Sequence, residues 1–164
     1  MDKFTLAIEQ WLKLRENDDS INIPVWFQVT GSSMMPFIRP FKDKVMIIAV
    51  DKEKLKVGDI VLFRAKCRGG DYCLHRIYKL DGDRVQTFGD GNRKPDIQMP
   101  RNNILGKALV IRRGETTIDC EDPKWVKRFE RWNRLYKIRP VLLFPYRVAN
   151  KLGNIIHAWK GKQT

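Results

Sequence analysis

The stretch YCLHRIYKLDGDRVQTFGDGN, residues 72–92, decides the fold class. It contains two runs rich in β-branched and aromatic residues, 72–80 and 84–88, and each run ends in a turn of Gly and Asp. Short runs of this kind between Gly-rich turns are typical of β-strands. The stretch therefore predicts two successive strands.

Four further runs of the same kind lie on either side of this stretch. They are PVWFQVT (24–30), KVMIIAV (44–50), DIVLFRA (59–65) and GKALVIRR (106–113). Six or more strands at this spacing indicate an all-β sandwich or an open barrel. The sequence thus predicts a mainly β domain over residues 24–115.

Both ends of the chain are predicted to be helical, because their apolar residues recur at the spacing of one helix face. In residues 1–20 this face holds Phe4, Ile8, Trp11 and Leu12. Residues 122–164 contain two such stripes, separated by Arg139-Pro140: Trp125, Phe129, Trp132 and Tyr136, and then Val148, Leu152, Ile155, Ile156 and Trp159.

The net charge of +13 is concentrated at the C-terminal end, where residues 122–164 hold eleven basic and two acidic residues. Such a distribution favours a partner with negative charge, either an anionic membrane or nucleic acid. Aromatic and Leu residues on one face with Lys and Arg on the other are typical of a helix in the membrane interface. The alternative is that the apolar stripes pack on the β domain. No recognisable nucleic-acid motif accompanies the charge, so nucleic acid is the weaker prediction.

The three cysteines, Cys67, Cys73 and Cys120, are odd in number and lack paired spacing, which argues against a disulfide framework. Reduced thiols in the cytosol are the favoured interpretation, and with only His75 nearby we expect no metal and no cofactor. The N-terminal residues lack the apolar core of a secretory signal, and no run of about 18 apolar residues occurs. We therefore expect a cytoplasmic or peripherally membrane-associated protein.

The segment VTGSSMMPFI, residues 29–38, carries a candidate nucleophile. A serine in a Gly-containing turn after a strand can present its hydroxyl together with a bare backbone N–H. Acyl transfer needs both groups, one as nucleophile and one as donor to the developing oxyanion. Taken alone, the same composition also fits an ordinary turn.

Two later segments carry a candidate base and its orienting acid. LHRI (74–77) places His75 on a strand, and a neutral imidazole with a pKa near working pH is a suitable general base. FGDGNRKPD (88–96) supplies Asp90 and Asp96, and a carboxylate can fix the tautomer of an imidazole. Each segment alone also fits a half-buried structural histidine or a pair of turn aspartates.

Taken together, five motifs form an ordered pattern in the chain. They are Ser33-Met34-Met35-Pro36, Gly58-Asp59-Ile60-Val61, Leu74-His75-Arg76, Gly89-Asp90-Gly91-Asn92 with Asp96, and Ile104-Leu105-Gly106-Lys107. This pattern resembles that of type I signal peptidases, in the endoplasmic-reticulum and archaeal branch that uses Ser and His. The resemblance covers about residues 27–113 and implies a LexA/signal-peptidase-like coiled β-sheet.

The resemblance also implies an activity, that of a serine endopeptidase which removes leader or signal-like segments from polypeptides. Ser33 would be the nucleophile, His75 the general base and Asp96 the acid that orients the imidazole. Asp90 would support the same network or brace the loop. The residues implied for the oxyanion hole and for substrate contact all lie in the nucleophile segment: Ser33 and Ser32 for the former, Met34 and Pro36 for the latter.

The chain departs from the signal peptidase pattern in three ways. Gly31 stands where a serine is usual, so that residues 29–34 resemble instead the self-cleaving LexA-like repressors. Lys42-Asp43-Lys44 lacks a turn glycine, and the expected membrane-spanning helix is absent. A LexA-like self-cleaving regulator is therefore one alternative, although only about thirty residues precede Ser33 and leave no room for a helix-turn-helix. That family also uses a Lys where this chain has His75. A non-catalytic β module that binds membranes through its tail is the other alternative.

Overall fold

The computed structural model describes residues 3–17, 23–67, 70–145 and 148, and this part of the chain is mainly β. Its eight strands are β1 Val25–Gln28, β2 Asp43–Ile48, β3 Ile60–Cys67, β4 Gly70–Asp81, β5 Arg84–Phe88, β6 Met99–Pro100, β7 Ile104–Arg113 and β8 Thr116–Asp119. Its helices are α1 Lys3–Asn17, α2 Pro123–Arg134 and α3 Arg139–Leu142, with 3₁₀ turns at Lys52–Lys54 and Arg101–Asn103.

The strands form one antiparallel sheet in the order β1-β2-β7-β3-β4-β5-β6, and β8 pairs with β7. Strand β4 lies in the interior of this sheet, between β3 and β5. Its residue His75 lies opposite Val61 of β3, and Arg76 lies opposite Phe88 of β5. The register therefore places the candidate base on a strand that is held from both sides.

The six predicted strands are all confirmed, with ends that differ by a few residues. Two short strands, β6 and β8, were not predicted, and β8 extends the sheet to Asp119, beyond the predicted limit at residue 115. The run Thr-Thr-Ile at 116–118 follows a turn at Gly114, whose φ is +58°. β-branched residues after a left-handed glycine were a usable signal for this strand.

Apolar side chains fill both faces of the sheet. One core cluster contains Ile60, Leu62 and Leu74, and α1 covers it with Ile8 and Trp11, as the helical spacing predicts. A second cluster on the opposite face contains these side chains: Leu55, Val61, Phe63, Cys73, Ile77, Val85, Met99 and Ile104. His75 alternates with Leu74 and Arg76 along β4, so its side chain belongs with this second cluster.

The C-terminal helix α2 begins at a strong capping signal. The carboxylate of Asp122 accepts a hydrogen bond from Lys124 N at 2.7 Å, and Pro123 occupies the first turn. Phe129 of the first predicted stripe is buried. The second predicted stripe, from Val148 to Trp159, lies outside the described residues apart from Val148 itself.

None of the helices in the described part of the chain is both long enough and apolar enough to cross a membrane.

The expectation that all three cysteines are reduced is wrong, because Cys73 is disulfide-bonded. An odd number of cysteines excludes complete pairing but does not exclude a single bond. Cys120 is a free thiol, and burial raises its pKa to about 12. A thiol with so high a pKa is almost entirely protonated at neutral pH and is a poor nucleophile.

Candidate active site

The imidazole of His75 and the carboxylate of Asp96 form a close pair. Nδ1 of His75 lies 2.6 Å from Oδ2 of Asp96. A carboxylate can only accept, so the Nδ1 atom of a neutral imidazole here carries the proton and Nε2 carries the lone pair. This is the tautomer that a general base needs, and Nε2 forms no hydrogen bond within the described part of the chain.

Strand β5 fixes the position of Asp96. The backbone N–H of Asp96 donates to Thr87 O at 2.8 Å, and the Thr87 hydroxyl donates to Oδ2 of the same carboxylate at 2.7 Å. Gln86 Nε2 donates a hydrogen bond to the backbone carbonyl of Asp96 at 2.9 Å. Sequence reasoning missed Thr87 and Gln86, because nothing in a strand sequence shows which later residue folds back against it.

The imidazole itself is buried in an apolar wall. His75 is almost inaccessible to solvent, and its ring meets the ring of Phe63 edge-on with 5.8 Å between centroids. Phe63 is buried, and so is Val61, which lies opposite His75 on β3. This packing restricts rotation of the ring, so the hydrogen bond to Asp96 sets both its tautomer and its direction.

The candidate nucleophile lies in the loop between β1 and β2, residues 29–42, which we call the nucleophile loop. Ser33 is half-buried, while the next residue, Met34, is 1% exposed and packs in the core cluster with Ile38. Burial to this degree does not fit the predicted substrate contact by the Met34 side chain. Met34 instead anchors the loop, and the half-buried Pro36 remains at its surface.

The base of the nucleophile loop is held by Asp43, a buried carboxylate at the start of β2. It accepts hydrogen bonds from Arg39 Nε at 3.1 Å and from Arg113 Nη2 at 2.8 Å. Arg113 Nη2 also donates to Phe37 O at 2.8 Å. Burial acts to raise the pKa of Asp43, but the hydrogen bonds from Arg113 and Arg39 outweigh it and hold that pKa below its usual value.

The nucleophile loop and the segment that carries Asp96 touch directly. The N–H of Gly91 donates to Ser33 O at 2.6 Å. A Cβ atom at Gly89 would lie 2.7 Å from Ser33 O, and one at Gly91 would lie 2.9 Å from Ser32 O. Both approaches therefore require glycine. Residues 89–96 contact the candidate nucleophile at one end and carry the partner of His75 at the other.

The structure shows no hydrogen bond between the hydroxyl of Ser33 and the imidazole of His75, whose partner is Asp96. Met34 packs with the cluster on one face of the sheet, while His75 projects toward the other. The hydrogen bond from Gly91 to Ser33 O links the nucleophile loop to the segment that bears Asp96.

Asp90 has a different partner from the one predicted for a catalytic acid. Arg76 Nε and Nη2 donate to its two carboxylate oxygens at 3.0 and 2.7 Å, and both side chains are at most 1% exposed. Arg76 Nη1 also donates to Gly58 O at 2.7 Å. Because Arg76 projects to the face opposite His75, Asp90 does not contact the imidazole. The alternative role, that of bracing the loop, is the one that fits.

Helices α2 and α3, residues 123–142, hold the same turn from outside, and we call them the C-terminal clasp. Trp132 Nε1 donates to Asp90 O at 2.9 Å, and Arg139 Nη1 donates to Gly89 O at 3.3 Å. Phe37 of the nucleophile loop meets Phe129 edge-on at 4.9 Å. The first apolar stripe of the basic tail thus packs on the β domain.

Arg139 is a buried guanidinium at the centre of this clasp. It lies 4.3 Å from the ring centroid of Phe88 and donates to Asn133 Oδ1 at 2.7 Å. Burial lowers the pKa of Arg139, and the nearby charge of Asp90 partly opposes that effect. Sequence reasoning counted Arg139 only as one of the eleven basic residues of the tail, because periodicity does not show which arginine turns inward.

Lys107 is a buried lysine one strand away from Val61, and it does not have the properties of a general base. Its Nζ lies 2.7 Å from Glu121 Oε1 and 3.0 Å from Asp59 Oδ1. Burial acts to lower the pKa of Lys107, but the hydrogen bonds to these two carboxylates outweigh it and raise that pKa. The ammonium group therefore stays protonated and engaged at neutral pH.

Comparison of the chain with protein-family models, with curated proteins and with solved structures finds no match in any of the three. Assignment to a class therefore depends on the motifs and on the geometry. The geometry consists of a buried imidazole that is bonded to the Asp96 carboxylate, and a serine loop that is bonded to the segment carrying this carboxylate.

Proposed function

We propose that this protein is a serine endopeptidase of the signal peptidase type, which removes leader or signal-like segments from other polypeptides. The observation that carries the proposal is the 2.6 Å contact between His75 and Asp96, in which the imidazole is oriented as a base. The hydrogen bond from Gly91 to Ser33 O supports it, because it ties the candidate nucleophile to the segment that bears Asp96.

In the proposed reaction the Ser33 hydroxyl attacks the scissile carbonyl carbon and passes its proton to Nε2 of His75. Asp96 stabilises the imidazolium that forms. The C–N bond then breaks, the leaving amine takes the proton from Nε2, and an ester remains on Ser33. Water attacks this ester, gives one proton to Nε2 and releases the acid, and the proton returns to the Ser33 oxygen. Contacts between nucleophile and base are often loose without substrate, so the reaction requires the two side chains to approach when a peptide binds.

The backbone of the nucleophile loop offers a donor for the oxyanion. The N–H of Ser33 donates to no acceptor within the described residues, so it is available to a negatively charged oxygen. Gly31 supplies no hydroxyl at the position where signal peptidases usually carry serine. Ser32 is exposed and adjacent, and it is the candidate for that second donor.

Two strand edges beside the candidate residues support a polypeptide substrate. Strand β1, which runs into the nucleophile loop, pairs with β2 alone among the described strands. The part of β4 before Arg76 pairs with β3, whereas its pairing with β5 begins at Arg76. An extended peptide can bind such edges through main-chain hydrogen bonds, with side chains read alternately.

The test measures cleavage in trans of a panel of leader-bearing peptides with small residues at the first and third positions before the scissile bond. Mass spectrometry locates the cut. We expect turnover by wild type and by the matched control Thr117→Ala, which removes an exposed hydroxyl on β8 outside the site, with Ser33→Ala and His75→Ala inactive. A fluorophosphonate probe needs no particular peptide. It should label Ser33 in the wild-type protein and should fail to label it in His75→Ala.

The segment Gly31-Ser32-Ser33-Met34 favours one second candidate, the LexA-like self-cleaving regulator. That function predicts a Ser33-dependent change in the mass of the protein itself and no turnover in trans. If Ser33 is neither labelled nor required for any cleavage, both hydrolase functions are wrong and a binding module remains.

A further inference from the structure

The outer face of the C-terminal clasp and the residues just after it expose large apolar side chains. Val141 is 74% exposed and Phe144 is 66% exposed, and Ile138 and Leu142 are exposed beside them. We call these four residues the apolar ridge. Leu135 and Val148, at its two ends, are exposed as well. Exposed apolar residues that adjoin one another in this way mark interaction sites, whereas isolated ones are ordinary.

The ridge has no polar face of its own. Hydrogen bonds from Arg139 N to Leu135 O and from Leu143 N to Arg139 O make this segment helical, and the side chains of both Arg139 and Leu143 are buried. The sequence of residues 138–145 is IRPVLLFP, in which Arg139 is the single polar residue. Since that residue points inward, the solvent-facing surface of the segment is wholly apolar.

Basic residues flank the ridge in the sequence. Arg131, Arg134 and Lys137 are exposed immediately before it. Beyond it the sequence continues with Arg147 and Lys151, and residues 138–164 contain no acidic residue. An apolar surface bordered by cations is complementary to the boundary between anionic headgroups and acyl chains.

We propose that the apolar ridge inserts into the interface of an anionic lipid bilayer. The sequence pattern left open whether the stripe of Phe129 and Trp132 contacts a membrane or packs on the β domain, and the β domain covers it. The lipid-facing surface is instead the opposite side of the clasp. Binding through the ridge leaves the hydrogen bonds of Trp132 to Asp90 O and of Arg139 to Gly89 O intact. The protein therefore docks with its fold unchanged. This inference does not depend on the proposed peptidase activity.

The experiment is flotation of the full chain with phosphatidylcholine vesicles that contain, or lack, phosphatidylglycerol. The ridge variant is Val141→Ser with Phe144→Ser. Its matched control is Val57→Ser with Ile97→Ser, which makes the same kind of change at two exposed apolar sites outside the clasp. A charge variant replaces Arg131, Arg134 and Lys137 by Gln, and circular dichroism verifies that every variant is folded.

We expect wild type and control to float with the anionic vesicles and to remain largely unbound with neutral ones. The ridge variant should lose about tenfold or more in partitioning, because two inserted apolar side chains are removed. The charge variant should also bind anionic vesicles more weakly than wild type does. Equal flotation of ridge variant and wild type, or no flotation of wild type, overturns the proposal. A dimer seen by sedimentation that only the ridge variant loses would assign the ridge to a second copy instead.

Discussion

The amide of Gly91 donates a 2.6 Å hydrogen bond to the carbonyl of Ser33, and this contact joins the two halves of the candidate site. The nucleophile loop is anchored in the core through Met34, and the turn that bears Gly91 is anchored through Asp90. The position of Ser33 relative to Asp96 is therefore set by how closely two backbone segments approach.

Gly91→Ala should disturb that approach. The added Cβ would lie 2.9 Å from Ser32 O and 3.2 Å from Met35 O, and both are backbone atoms that move only with the loop. A displacement of the nucleophile by about 1 Å can lower the rate by about 100-fold. Peptide turnover should fall by that order.

Gly31→Ala is the matched control, because nothing lies within 4 Å of its Cβ position. Turnover and melting temperature should stay close to those of wild type. If both alanine variants lose activity equally, the close approach of the two segments is not what positions Ser33.

Asp96→Asn should remove activity without unfolding the protein. The amide can donate to Nδ1, which favours the tautomer with the proton on Nε2, and that imidazole cannot act as base. Such a change in a Ser-His-Asp site lowers kcat by about 10⁴-fold. We expect kcat to fall and KM to change little, as measured with the cleaved peptide; a normal kcat would remove Asp96 from the mechanism.

Asp90→Asn should act on stability instead. Arg76 would keep a buried charge with one neutral partner, and breaking a buried ion pair costs about 3–5 kcal/mol. Urea unfolding measures the loss. The control is Asp81→Asn, which breaks the exposed pair with Lys79 and should cost about 1 kcal/mol or less. Comparable losses in the two variants would show that the Arg76 pair does not brace the fold.

Much of the fold and the pairing of His75 with Asp96 were accessible from sequence. Runs of β-branched and aromatic residues between Gly-rich turns fix strands locally, so β1 to β5 and β7 were predicted. The order of the motifs singled out Ser33, His75 and Asp96. The choice between Asp96 and Asp90 stayed open, because the register of β4 against β5 decides which carboxylate reaches the imidazole.

The contacts that brace the site were not accessible in the same way. Trp132 and Asp90 are 42 residues apart, and no local pattern indicates that an indole will reach a turn carbonyl. Met34 belongs to the nucleophile motif, and the resemblance assigned it to substrate contact. Its side chain is instead buried in the core, and this burial holds the neighbouring Ser33 in place. Tertiary packing decides both cases.

Trp132→Phe should loosen the Asp90 turn. The phenyl ring keeps most of the contact with Phe37, but the donor to Asp90 O is lost, which should cost about 1 kcal/mol in unfolding free energy. Turnover should fall more than the stability loss explains, through kcat rather than KM. Trp125→Phe is the control, because its indole N–H donates to no residue in the part of the chain described. Equal kcat values for the two variants would show that the hydrogen bond from the clasp to Asp90 O does not contribute to catalysis.

Asp43→Asn tests how the nucleophile loop depends on pH. The pKa of Asp43 is lower in the folded protein than in the unfolded chain, so the stabilisation is fully present above about pH 4 and is lost as pH falls toward the folded pKa. At pH 7 wild type should be more stable than the variant by about 3 kcal/mol, since two arginines lose a charged partner. The difference should shrink steadily below pH 4, as followed by urea unfolding at each pH. A difference that is constant from pH 7 to pH 3 would show that the charge of Asp43 does not hold the loop.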